Sequence, residues 1–399
     1  MKITIHRGTN QIGGCLTEIV SNSGARILID IGANLPDSKG KVKPEIELEG
    51  LTKGEPIFDA IFITHYHGDH IGLYNKVISS IPIYIGNISK GIFTILQKRL
   101  NKADLVSKED LEKIESFKTF KIKDKIRIKD IVVTPIATDH SAFDSYMFMI
   151  EADGKKILHT GDFRTHGQRG KSVLEAIEKY VGKLDCLICE GTTLTRENNK
   201  VLTEFELQIE AEQIFKNNKY NFVLCSSTNI DRIAALHKAS LYTHKMFVVD
   251  KYQSDILEYV SKHSRSKLYK FNDGPDSKVY YYGKNMINKM KEYGFVMLVR
   301  ANDRFKDIIN LFEDSNFIYS QWLGYLKGEN KDYKRIQNFV PQDFQYLHTS
   351  GHATPDAIKD VIELTNPNAV IPIHTEDKKK ILELTDKAVI LDDEELYEV

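Results

Sequence analysis

Cysteine is scarce in this chain, with four residues in 399, at positions 15, 186, 189 and 225. Thiols so few and so scattered cannot build a disulfide framework, so a reducing compartment is expected. Cys186 and Cys189 form a C-x-x-C, but they sit inside Leu184-Asp185-Cys186-Leu187-Ile188-Cys189, which reads as a buried strand with no second thiol pair to complete a zinc site. Long apolar runs are also missing: none approaches the roughly 18 residues of a membrane-spanning helix. The opening Met1-Lys2-Ile3-Thr4-Ile5-His6-Arg7-Gly8 alternates like a strand and lacks the apolar stretch of a signal peptide, so no membrane partner and a cytoplasmic location are expected. An excess of either charge is absent too. Fifty-five basic against fifty-six acidic residues leave a net charge of −1, which argues against a simple nucleic-acid-binding module. A nuclease with a local basic cleft remains compatible with that balance, because a few cations near the strand suffice.

What is present is the composition of a folded protein, 41% apolar and 28% charged, in a chain long enough for two domains. Short apolar strands recur in the first half: Arg26 to Asp30, Phe58 to Ile63, Ile131 to Ile136 and Lys155 to His159. Each runs into a polar or histidine-bearing loop. Groups at strand ends converge on one crevice in layered α/β folds, so one shared site is expected. From about Thr195 strands alternate with helices (helix 203–217, strand 221–225, helix 229–241, strand 246–250, helix 252–261, strand 295–300), the pattern of a parallel βαβ domain. A tyrosine-rich stretch near 320–340 leads back to strands and helices. The expected organisation is therefore a first part at 1–194, an inserted domain at 195–342 and a return to the first domain at 343–399. The run Lys118 to Lys129 alternates basic and apolar residues and reads as one strand with a solvated face.

The densest chemistry lies in Thr64-His65-Tyr66-His67-Gly68-Asp69-His70. Extended spacing places His65 and His67 on one side of the chain, facing one metal. Gly68 is expected to supply a tight turn that brings Asp69 and His70 toward a second metal at the start of a helix. Four polar side chains at the end of a buried strand have no ordinary packing reason.

Further motifs follow in order: Asp30 in Ile27-Leu28-Ile29-Asp30-Ile31-Gly32, His140 in Ala137-Thr138-Asp139-His140-Ser141, and Asp162 in His159-Thr160-Gly161-Asp162. Then come Glu190 in Cys189-Glu190-Gly191-Thr192, His352 in Ser350-Gly351-His352-Ala353 and His374 in Ile371-Pro372-Ile373-His374-Thr375. Seven motifs in this order resemble the metallo-β-lactamase-fold hydrolases of the β-CASP branch, most closely the ribonuclease J group, over nearly the whole chain. The resemblance implies an αββα sandwich with an inserted α/β domain. It also implies two zinc ions, or manganese in their place: His65, His67 and His140 hold one, Asp69, His70 and His374 the other, and Asp162 bridges them, with no cysteine needed. Asp30 then orients the histidine loop, Glu190 supports a histidine, His352 meets the scissile phosphate and Asp69 relays a proton.

The implied activity is hydrolysis of single-stranded RNA, as a 5′-to-3′ exonuclease with or without endonuclease activity. Thr375 stands where that group usually has glycine, and the group's further C-terminal domain has no counterpart here, which leaves a homodimer as an expectation only. His374 tilts the substrate from DNA toward RNA by the same resemblance. Two other classes compete: a hydrolase of DNA, a cyclic nucleotide or a small ester, and a non-catalytic RNA-binding homologue.

For substrate contacts, the segment Ser226-Ser227-Thr228-Asn229-Ile230-Asp231-Arg232 ends a strand and opens a helix whose free N–H groups favour phosphate. An ordinary N-cap by Ser227 or Thr228 explains it equally well. Ser350 is a second candidate. Arg232 and Arg300 are cations that suit a phosphate or simply solvent. The remaining histidines, 6, 159, 166, 237, 244, 263 and 348, read as ordinary core or surface residues, with His348 alone a candidate for a supporting role.

Overall fold

The computed structural model describes residues 1–37, 39–196, 201–272 and 278–399. They form two compact units. The first comprises Met1–Leu35, Val42–Lys200 and Gly351–Val399; the second comprises Pro36–Lys41 and Val201–Ser350.

Two sheets face each other in the first unit. One has seven strands in the order Leu396–Glu398, Lys2–Arg7, Leu16–Val20, Arg26–Ile29, Ala60–Phe62, Ile83–Gly86, Lys118–Phe120. The other has six, in the order Ala369–Ile373, Cys186–Glu190, Lys155–His159, Tyr146–Ala152, Ile131–Ala137, Ile126–Ile128. Period-two alternation explains the layering. Along Tyr146–Ala152, Tyr146, Phe148 and Ile150 point into the core between the sheets, where they meet Ile29, Phe62 and Phe120. Met147 and Met149 point the other way, to a second core shared with Val173 and Ile177 of helix Gly170–Tyr180 and with Ile358 and Val361 of helix Pro355–Thr365. Each fully buried side chain of this size contributes about 1.5–3 kcal/mol of hydrophobic stabilisation. Helix Asn87–Asn101 packs on the seven-stranded sheet, completing the αββα order.

The run 118–129 is not one strand. Lys118–Phe120 closes one sheet and Ile126–Ile128 the other. Between them Lys121 N–H donates to the Asp124 carboxylate and Lys123 takes φ +67°, so the chain turns a corner that the basic-apolar alternation concealed. Cys186 and Cys189 lie in a fully buried strand, as expected, one in each core, where burial pushes both thiols up.

The second unit is a six-stranded, wholly parallel sheet in the order Val279–Tyr281, Met246–Val249, Phe295–Val299, Tyr220–Leu224, Asn316–Tyr319, Gln345–Tyr346. Helices Glu204–Asn217 and Lys251–His263 start at capping boxes built by Thr203 with Glu206 and by Asp250 with Gln253. The unit continues past residue 342, because Gln345–Tyr346 pairs with Asn316–Tyr319 as the edge strand. No helix among the described residues is long and apolar enough to cross a membrane.

Candidate metal centre

In the first unit, loops that leave successive strands carry the titratable residues to one place. Asp30 follows Arg26–Ile29, His65 to His70 follow Ala60–Phe62, and His140 follows Ile131–Ala137. Asp162 follows Lys155–His159, Glu190 ends its strand, and His374 follows Ala369–Ile373. Asp30 and His374 both adopt positive φ, +63° and +52°, an uncommon backbone for these residues that turns each side chain out of its strand line. Gly68 does not supply the sharp turn expected of it. It opens the helical turn Gly68–Ile71, and the glycine that geometry demands is Gly32, where a Cβ would lie 1.7 Å from the Asp69 carbonyl oxygen.

Three imidazole nitrogens converge at the first position. His67 Nδ1 lies 3.1 Å from His65 Nε2 and 3.2 Å from His140 Nε2. Tyr66 between them turns away, its hydroxyl accepting from Phe143 N–H. The tautomers follow from the opposite ring atoms. His140 Nδ1 donates to the Gly351 carbonyl at 2.6 Å, so its Nε2 is bare. Thr64 Oγ1 donates its one proton to the Asp30 carboxylate and therefore accepts from His65 Nδ1 at 3.0 Å, which leaves His65 Nε2 bare as well. Burial, reinforced by neighbouring imidazoles, holds His65 and His140 well below the ordinary histidine range and pushes His67 down to about 4. Three neutral imidazole nitrogens this close, with at most one proton of His67 to share among them, suit a cation.

The second position has the opposite electrostatics. His70 Nδ1 donates to Asp30 Oδ2 at 2.7 Å, which turns His70 Nε2 toward Asp162 Oδ2 at 3.2 Å. Thr192 repeats the device seen at Thr64. Its hydroxyl donates to Glu190 Oε2 and accepts from His374 Nδ1, each at 2.7 Å, so His374 Nε2 faces Asp69 Oδ2 at 3.4 Å. Burial alone would lower both histidines. Nearby acidic groups, Asp162 foremost, overcome it, raising His70 well above its ordinary value and His374 to about 10. Burial would raise Asp69 and Asp162, yet His374 and His70 hold both below the usual carboxylate range. The raised histidines and the lowered carboxylates thus offset one another. Burial raises Asp30 even with His70 and Thr64 beside it.

Asp162 stands between the positions, Oδ2 lying 3.9 Å from His65 Nε2, 3.8 Å from His140 Nε2 and 3.2 Å from His70 Nε2. Its Oδ1 is buried without a hydrogen-bond partner among the described residues. An orphaned carboxylate oxygen beside bare imidazole nitrogens fits divalent metal ligation, and these residues form the groups able to hold an ion: His65, His67 and His140; His65, His70 and Asp162; and Asp162 and His374 with Glu190 and His352. His352 Nδ1 donates to Glu190 Oε2 at 3.0 Å, and its ring is partly exposed while Glu190 is buried. Thr64 and Thr192 were not singled out in the sequence, nor was Asp139, which anchors the His140 loop through Arg164 Nε at 3.1 Å and Arg169 N–H at 2.7 Å.

The residues proposed to bind phosphate lie in the second unit, His352 apart. Ser226 is exposed; Ser227 is buried and accepts from Gln253 Nε2. The N-cap of helix Ile230–Tyr242 is Asn229, not Ser227 or Thr228: its side chain accepts from Arg232 N–H. Arg232 is not a solvated cation. It is fully buried, forked onto Glu204 at 3.0 and 3.1 Å and bonded to Ser320 and to the Thr349 carbonyl, because a guanidinium in a core needs a carboxylate to neutralise it. His348 lies against Arg232 in the same unit, and Ser350 is partly buried. Arg300 pairs with Asp250 and stacks over Tyr252.

Two facing sheets with helices outside, and a His/Asp cluster gathered by strand-end loops, define a metallo-β-lactamase-fold protein with a candidate metal centre. Residues 25–217 match the family described as the beta-lactamase superfamily domain. Ribonuclease J of Helicobacter pylori (strain B128) is 25% identical over 411 residues, covering 94% of this chain and 56% of that protein. The RNase J-like protein of Methanocaldococcus jannaschii is 25% identical over 196 residues, 48% of this chain and 42% of its own length. A crystal structure of a protein of unknown function from Enterococcus faecalis V583 superposes with a TM-score of 0.75 at 20% identity, covering 99% of both chains. The chain has the metallo-β-lactamase fold and is similar to ribonuclease J over most of its length, and it spans 56% of the length of the Helicobacter relatives it matches.

Proposed function

We propose that the chain hydrolyses phosphodiester bonds of single-stranded RNA at a two-metal centre. The reading rests on one observation above others: the rings of His65, His67, His140, His70 and His374 and the carboxylates of Asp69 and Asp162 turn their ligating atoms toward one another, while His352 stands at their edge, partly exposed and backed by Glu190. The relatives named ribonuclease J and RNase J-like protein supply the substrate class.

In this reading His65, His67 and His140 hold one ion, Asp69, His70 and His374 the other, and Asp162 lies between them. Two zinc ions so bound would polarise the phosphodiester and bring the pKa of a bound water near neutral. The chain's own residues do the rest. Asp30 and Thr64 fix the rings of His65 and His70; Glu190 and Thr192 fix those of His374 and His352. With Nδ1 held by Glu190, His352 is left to meet through Nε2 the phosphoryl oxygen on which charge develops. Asp69 takes up and passes on a proton. Contacts to the RNA backbone in the second unit are assigned to Ser226, Ser227, Asn229 and Ser350, and 5′-to-3′ exonuclease action follows the ribonuclease J likeness.

The test uses the zinc-loaded chain on 5′-monophosphorylated single-stranded RNA, with single-stranded DNA and small esters alongside. Nucleotide release from RNA, abolished in His67→Ala and His352→Ala, is expected. Faster turnover of an ester or of DNA sinks the RNA reading, and RNA binding without turnover under several divalent metals would make the chain a binding homologue.

A further inference from the structure

We infer that Cys15 is a thiolate ligand of the second metal position, and that it makes this centre select zinc over manganese. The inference rests on the two-metal reading of the site and deepens it. Cys15 Sγ lies 4.0 Å from His70 Nε2, and Cys15, His70 and His374 form a buried trio whose donor atoms all lie within 4.8 Å of one another. Around an ion with a sulfur at about 2.3 Å and nitrogens at about 2.0–2.1 Å, donors at tetrahedral angles stand about 3.3–3.6 Å apart, so the trio would close by a few tenths of an ångström or more on binding.

Orientation singles this trio out. His70 and His374 have their Nδ1 atoms committed, to Asp30 and to Thr192, so the nitrogens left for an ion are the Nε2 atoms, and His70 Nε2 is the one facing the thiol. The thiol is placed by the loop it serves. Cys15 N–H donates to the Asp69 carbonyl at 3.0 Å, and the Cys15 carbonyl accepts from Gly32 N–H at 2.9 Å, clamping its backbone between the Asp69 turn and the strand end that follows Asp30. Gly13 and Gly14 before it both take positive φ, +82° and +67°, which lets the chain fold over to deliver the side chain.

The bland reading of a buried cysteine is a small core residue. Cys186 and Cys189 fit it, since they belong to the two apolar cores of the unit. Cys15 is buried as well, but its surroundings are polar: the His70 ring, the Asp69 turn and the Arg7 guanidinium. Soft thiolate favours zinc, whereas manganese prefers carboxylate, carbonyl and water oxygens. A wholly nitrogen and oxygen set would leave that choice to metal supply.

Zinc-edge X-ray absorption of the loaded full chain tests this directly, beside the optical spectrum of the cobalt-loaded form. The wild type is expected to show a sulfur scatterer at about 2.3 Å and a near-ultraviolet thiolate-to-cobalt charge-transfer band. Both should vanish in Cys15→Ser, while Cys225→Ser keeps them. Cys15→Ser should also narrow the ratio of zinc to manganese affinity by at least about 10-fold, the lower end of what loss of even an outer-shell partner costs a metal site. Two ions bound with only nitrogen and oxygen scatterers in the wild type overturns the role of Cys15 and leaves the two-metal reading intact. A chain that binds no divalent metal overturns both. Because the decisive readout is on the unmutated chain, instability of the serine variant cannot mask the answer.

Discussion

The hydroxyl of Thr192 lies 2.7 Å from His374 Nδ1 and donates its proton to Glu190, so one threonine decides which nitrogen of a buried histidine faces Asp69. Thr192→Val keeps the shape and removes the acceptor. The His374 ring then loses its lock, and affinity for the second of two zinc ions is expected to fall on the order of 10- to 100-fold. Thr192→Ser should restore it. Stepwise metal titration followed by calorimetry measures the effect, and an unchanged second affinity in the valine variant removes the positioning role.

His352 and Glu190 separate substrate handling from metal holding. His352→Gln is expected to lower RNA turnover by about 10²–10³-fold, the usual cost of losing one donor to developing charge, while both ions stay bound. Elemental analysis beside a single-turnover assay decides. Should His352→Gln strip metal as well, His352 is a ligand, consistent with its place near Asp162 and His374.

The residues of the proposed centre were unevenly legible in the sequence. His65, His67, Asp69 and His70 announce themselves because four donors crowd six residues, and Asp30, Asp162 and His374 because each ends an apolar run. Thr64, Thr192 and Cys15 gave no such signal: a single hydroxyl or thiol has no periodicity, and Thr192 meets its histidine across 182 positions. The parallel second domain was readable from strand and helix alternation. Its far edge was not, since Gln345–Tyr346 is a two-residue strand defined only by its partner. Arg232 misled for a related reason, as nothing local marks Glu204 as its counter-charge.

That buried pair carries a stability prediction. Arg232 and Glu204 are both fully buried, so removing one partner leaves an uncompensated charge. Glu204→Gln or Arg232→Met is expected to destabilise the chain by about 3–5 kcal/mol, with much of the loss recovered when both become apolar residues of similar volume. Urea unfolding of the single and double variants measures this. An Arg232→Met chain of native stability that binds RNA weakly would instead return Arg232 to the phosphate site.

His6 predicts a pH dependence away from the metal centre. Its ring is buried between Glu18, 2.9 Å from Nε2, and Glu394, 2.8 Å from Nδ1, while Arg26 pairs with the other oxygen of Glu18. Burial alone would lower the imidazole, yet hydrogen bonds and charge from the two carboxylates outweigh it and raise the folded value. The unfolded chain releases this proton near pH 6.5. Between there and the raised folded value the native state binds more proton than the unfolded one, so stability falls as pH rises. The contribution is complete below about pH 6.5 and disappears above the folded value. His6→Gln keeps a hydrogen-bonding side chain without the proton. Melting temperatures of the two proteins, compared from pH 6 to 9, isolate the effect because titrations at the metal centre are common to both. The wild type is expected to lose ground to His6→Gln as pH increases, with part of the difference sensitive to salt since Glu394 is exposed. Parallel pH profiles would show that His6 carries no charge linking the first strand to the carboxyl-terminal segment.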